Sequence, residues 1–146
     1  MTDWIQHHPT TPMTTRDGRA VEIDVEIAPL VEQLWRLGYT TKLACQDAGE
    51  AILHGGTRVA PSDRDRQSAC HAGRAWIIVG VDDGPALLKA VRSLASAGTW
   101  RSFPVTKGND PEAWMSITFP RRDITAAAEL LRRASAEDQA GSRAVP

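Results

Sequence analysis

Ile27, Leu30, Val31, Leu34 and Trp35 recur at the i, i+3, i+4, i+7, i+8 spacing of one helix face, with Glu32, Gln33 and Arg36 opposite. This predicts a helix with one buried side. Asp24 and Glu26 precede it, where negative charge suits a helix N-terminus; Pro29 fits its first turn, and Gly38 stands where a left-handed closing residue is wanted. Residues 40–45 then alternate, Thr41, Leu43 and Cys45 against Thr40, Lys42 and Ala44, and their β-branched start favours a strand. Residues 21–47 therefore predict a helix that feeds a sheet directly, on a strand that ends in a thiol.

The rest of the chain is arranged around that unit. Asp17-Gly18 between two alternating segments signals a tight hairpin over residues 13–23. Residues 46–73 form a long connection, of the kind that carries function or structure of its own; within it Ser62, Asp63 and Asp65 resemble a helix start running to about His71. The apolar run at residues 75–81 reads as a central strand covered on both faces. Asp82-Asp83-Gly84-Pro85 opens a helix whose buried stripe is Leu87, Leu88, Val91, Leu94 and Ala95, closed by Gly98. Residues 99–106 and 112–119 read as a hairpin, with Trp114, Ser116 and Thr118 on one face of its second strand and Met115, Ile117 and Phe119 on the other. A last helix capped by Asp123 turns Ile124, Ala127, Ala128, Leu130 and Leu131 inward and fades into a polar tail from Ser135.

This order predicts an α+β fold: a mixed sheet with helices packed mainly on one face, ferredoxin-like or permuted ferredoxin-like, plus an N-terminal hairpin. One domain over residues 1–138 with an insertion at 46–73, and a flexible tail at 139–146, is the economical organisation for 146 residues. The longest apolar run is too short to cross a bilayer, and the N-terminal MTDWIQHHP lacks the basic and apolar regions of a signal peptide, so a cytoplasmic protein is expected. A net charge of −1 gives no strong nucleic-acid or membrane signal. Two cysteines make no disulfide framework.

Leu34, Trp35, Gly38, Thr41 and the run Cys45-Gln46-Asp47 resemble the leading helix and strand of small uncharacterised proteins from actinobacteria and their phages, and the likeness extends to GRAW at residues 73–76 and to residues 114–124. That resemblance implies an accessory or phage-related factor and brings no activity with it. A helix followed by a Thr-rich strand ending in Cys is also similar to wybutosine-type tRNA-modifying domains. Their Ser-Cys-x-Gly pattern is replaced here by Ala44-Cys45-Gln46-Asp47, so their substrate is not carried over.

Candidate chemistry gathers in and around the 46–73 connection. Cys45 is the candidate nucleophile if a histidine or helix N-terminus lowers its pKa; the plainer alternative is a packed strand-end thiol. Cys45, His54, Cys70 and His71 are zinc-type ligands, yet they lack the paired spacing of a structural site, so no metal and no cofactor are expected. Asp47, Glu50, Asp63 and Asp65 could act as an acid/base pair or hold Mg²⁺, with helix-start charge as the alternative for the latter two. Arg101, Lys107, Arg121 and Arg122 suggest a small cationic rim, placed at the opposite end of the sheet. The expectation is a binding protein for a small molecule or protein partner, without robust catalysis, whose ligand-binding residues are Gln46, Asp47, His54, Arg58 and His71 at the end of the 40–45 strand. A small enzyme using Cys45 or the loop carboxylates is the alternative.

Overall fold

The computed structural model describes residues 8–54, 59–105 and 113–144, with side chains described through residue 134. Arg58 and Lys107, both expected at functional positions, lie outside the described residues.

Strands β1 (Thr10–Thr14) and β2 (Ala20–Asp24) form the expected antiparallel hairpin, its turn closed by bonds between Thr15 and Arg19. Helix α1 (Ala28–Arg36) follows, with Pro29 in its first turn and Ile27, Leu30, Val31 and Leu34 fully buried. Gln33, expected on the polar side, is buried as well. Gly38 closes the helix at φ +87°, a left-handed conformation that costs glycine nothing. Asp24 and Glu26 depart from the expectation: neither is in the first turn of α1, because Asp24 ends β2 and accepts from the Gln46 backbone just after β3 (Thr41–Cys45), while Glu26 turns to Arg121.

The 46–73 connection has structure of its own. Helix α2 (Ala48–Leu53) and helix α3 (Arg64–His71), the latter led by a 3₁₀ turn at Pro61–Asp63, pack against each other. Gly49 makes this approach possible, since a Cβ there would lie 2.6 Å from the Ala72 backbone, and Ser68 donates to the Gly49 carbonyl at 2.7 Å. The expected helix over residues 62–71 is present, although its start carries no side-chain cap.

Strand β4 (Arg74–Gly80), helix α4 (Asp83–Ala90), β5 (Arg101–Val105), β6 (Trp114–Pro120) and helix α5 (Ile124–Ala144) complete the chain. The sheet order is β3-β4-β6-β5, antiparallel throughout. It is not mixed, because β6 separates the two strands joined by α4. With β4 counted as the first strand, this is the split βαβ of a ferredoxin-like sheet whose last strand has moved to the front, the permuted form of the expected architecture. Helix α4 is shorter than its apolar stripe. Beyond Ala90 the chain tightens into i→i+3 turns that still bury Val91, and Gly98 has no left-handed φ. Helix α5 runs on through the Ala-rich segment to Ala144, past the fade expected at Ser135.

Alternation assigns the faces. Ala75, Ile77, Val79, Ile117 and Phe119 join Leu30, Leu34, Leu87, Val91, Ala127 and Leu131 in one core, and Phe119 stacks on Trp100 with centroids 4.1 Å apart. Cys45, paired with Trp76 in the ladder, falls on the opposite face, where Trp76 Nε1 donates to Ser116 Oγ at 2.6 Å. Asp123, expected to cap α5, is buried instead and accepts from Ser96 Oγ and Trp100 Nε1.

Candidate functional site

Antiparallel pairing puts the end of β3, the start of β4 and the end of β6 at one edge of the sheet, so Cys45 and Arg121 meet there. Arg121 therefore leaves the opposite-end rim in which the sequence reading placed it. The end of β2 and the residue leading into β1 close in from the side, bringing Asp24, Glu26 and His8 to the same edge.

These groups form a ring of hydrogen bonds. Arg121 donates from Nε to Glu26 Oε2 at 2.6 Å and from Nη1 to Asp47 Oδ2 and Glu50 Oε1, each at 3.1 Å. The Glu26 backbone N–H donates to Gln46 Oε1 at 2.9 Å, and the Gln46 backbone N–H to Asp24 Oδ2 at 3.1 Å. His8 Nδ1 lies 3.0 Å from Asp24 Oδ2, and His8 Nε2 lies 2.5 Å from Glu50 Oε2, which closes the ring. Asp47 also accepts from the Glu50 N–H at 3.0 Å as the N-cap of α2.

Burial within the ring is uneven. The side chains of Asp47 and His8 are 5% and 7% exposed, while Glu26 and Glu50 are 42% and 47% exposed. Four carboxylates, Asp24, Glu26, Asp47 and Glu50, thus share one guanidinium and one imidazole. The Arg121 guanidinium is held protonated more firmly than usual, chiefly by its bond to Glu26, with Asp47 and Glu50 adding to it.

Cys45 sits beside the ring with its thiol directed to the Asp47 carbonyl at 3.3 Å. Burial pushes this thiol up from its ordinary 9.0 to about 12, a backbone hydrogen bond at Asp47 opposing and the charges of Asp24 and Asp47 reinforcing the shift. The environment is the reverse of the electropositive one that produces a reactive thiolate.

Of the expected ligand-binding residues, Gln46 and Asp47 are at this edge, both buried and both engaged in holding the ring together. His54 is exposed at the C-terminal end of α2, and half-buried His71 ends α3. Among the described residues, neither belongs to a three-ligand group with Cys45 or Cys70. Among the described residues, the group of ligand-type side chains brought together is His8, Asp24 and Cys45, whose donor atoms all lie within 4.8 Å of one another. Sequence reading missed it because His8 sits in a stretch with no apolar period and Asp24 resembles a helix-start charge. Asp63 pairs with Arg66 at 2.9 Å on the surface of α3, away from a carboxylate pair with Asp47.

An open groove of about 740 Å³ lies between the β1–β2 hairpin and α1, lined by Met13, Val25, Pro29, Glu32, Trp35 and Arg36 among others, and it includes none of the ring residues. No helix among the described residues is long and apolar enough to cross a membrane. No protein-family model, curated protein or solved structure matches the chain.

Proposed function

We propose that this chain is a small binding protein whose recognition surface is the acidic sheet edge around His8, Asp24, Glu26, Asp47, Glu50 and Arg121, and that its ligand carries positive charge. The observation that carries the reading is the imbalance of the ring, in which, among the described residues, four carboxylates face a single permanently charged cation in a partly buried setting. Like charges held this close in reduced dielectric repel, and a bound cation relieves the repulsion. Catalysis is not part of the reading, because the thiol best placed to attack is held protonated.

Thermal shift and calorimetry against divalent metals, polyamines, nucleotides and acidic metabolites, with turnover followed in parallel, test this. Cations should raise the melting temperature, and Glu26→Gln/Glu50→Gln should weaken the response. Binding of nucleotides alone would overturn the charge assignment. Turnover lost in Cys45→Ala would favour an enzyme instead.

A further inference from the structure

We propose that His8, Asp24 and Cys45 bind one divalent transition metal of the zinc type, a proposal that rests on reading this sheet edge as a cation-binding surface. The argument starts from His8, whose two ring nitrogens both face carboxylate oxygens, Nδ1 to Asp24 at 3.0 Å and Nε2 to Glu50 at 2.5 Å. A neutral imidazole carries one N–H. With that proton on Nε2, toward Glu50, Nδ1 presents a lone pair to an oxygen that also has only lone pairs. Two acceptors 3.0 Å apart need a positive centre between them, either a proton or a metal ion.

The third donor selects the class of metal. Cys45 Sγ completes a set of one nitrogen, one oxygen and one sulfur atom, all within 4.8 Å of one another. Imidazole, carboxylate and thiolate together suit zinc and its neighbours, whereas magnesium and calcium take oxygen ligands. Glu50 supports the histidine from behind. Its bond to His8 Nε2 is the carboxylate–histidine arrangement that fixes the ring tautomer and turns the other nitrogen toward a metal. The Gln46 N–H to Asp24 Oδ2 holds the carboxylate in register, and the ladder pairing of Cys45 with Trp76 fixes the strand that carries the thiol.

Binding is an exchange that balances. The metal forms bonds to Nδ1, a carboxylate oxygen and Sγ, the Cys45 thiol releases its proton to solvent, and the edge gains one net positive charge. Three protein ligands leave a fourth tetrahedral position for water or an outside donor.

The test uses the full-length chain stripped with chelator, then titrated with Zn²⁺, Mg²⁺ and spermidine by calorimetry, and with Co²⁺ by absorption. The expected result is one equivalent of zinc and a thiolate-to-cobalt charge-transfer band. The band should vanish in Cys45→Ser and persist in Cys70→Ser. Glu50→Gln should weaken zinc about tenfold or more, and Cys45→Ser or His8→Ala further still. Circular dichroism verifies folding of each variant. If Mg²⁺ or spermidine binds while zinc does not, the metal assignment fails and the acidic edge stands. If no cation binds, both readings fail. A cobalt band that follows Cys70 would place any metal elsewhere and overturn the assignment.

Discussion

Asp123 and Asp24 are both carboxylates drawn out of bulk water, and their surroundings differ in kind. Asp123, 8% exposed, has its Oδ2 bonded by Ser96 Oγ at 2.5 Å and by Trp100 Nε1 at 3.0 Å, and its partners can donate without further change. The Asp24 carboxylate has one backbone donor, from Gln46; its other neighbours, His8 Nδ1 and the Cys45 thiol, are groups that take up or give up a cation. A buried carboxylate among fixed donors is a cross-link, and here it ties the turn after α4 to the start of α5. A carboxylate that shares its surroundings with other ligand-type atoms is the receptor that the proposed cation site requires.

Loss of the cross-link should be the larger effect. Asp123→Ala leaves a buried indole N–H and a hydroxyl without their acceptor, and we expect about 2–3 kcal/mol of lost stability in urea unfolding. Asp24→Asn keeps an acceptor for Gln46 and removes a negative charge from a crowded edge; in chelator it should lie within about 0.5 kcal/mol of the parent. Equal losses for the two variants would erase the distinction between cross-link and receptor.

Arg121 sharpens the comparison from the other side, because among the described residues it is the fixed cation that bonds the carboxylates of this edge. Its removal strands Asp47, whose side chain is only 5% exposed, so Arg121→Ala should cost about 2 kcal/mol, less than a fully buried pair because the guanidinium is itself partly exposed. Arg121→Lys should recover only part of this, since a single ammonium cannot reach Glu26, Asp47 and Glu50 as the fork does. A full rescue by lysine, measured by the same unfolding, would reduce the ring to a diffuse charge effect.

What sequence could and could not disclose follows the range of each interaction. The α1 stripe, Gly38, the Asp17-Gly18 hairpin and the alternation of Met115, Ile117 and Phe119 are local patterns and were readable. The placement of β6 between β4 and β5 is not local, which is why a mixed sheet was expected and an antiparallel one found. The same long-range pairing carried Arg121 to the Cys45 edge. Asp24 and Asp123 each satisfied a helix-start rule in sequence, yet both were claimed by tertiary partners 16 to 27 positions away. Gln46 and Asp47 could be placed at this edge from sequence because they follow the strand that builds it; His8 could not, because only the hairpin brings it back.

The smallest expected effect separates the two cysteines. Cys70 is exposed on α3, and Cys45 is partly buried with its thiol pushed up to about 12. An acid whose pKa is raised by folding holds its proton in the native state at pH values where the unfolded chain has lost it. Its contribution to stability is therefore complete below pH 9.0 and is lost as pH rises from there toward about 12. At pH 10 the loss amounts to about 1 kcal/mol. Tyr39, raised by burial and by Asp83, slopes the same way, so the informative quantity is the difference between parent and Cys45→Ser rather than the parent curve alone. Urea midpoints between pH 8 and 10 should fall more steeply for the parent and for Cys70→Ser than for Cys45→Ser. Thiol labelling at pH 8 should modify Cys70 rapidly and Cys45 only on unfolding. Rapid labelling of Cys45 in the folded chain, with parallel stability curves, would mean that its thiol is an ordinary exposed one and that the edge beside Asp24 is open to solvent.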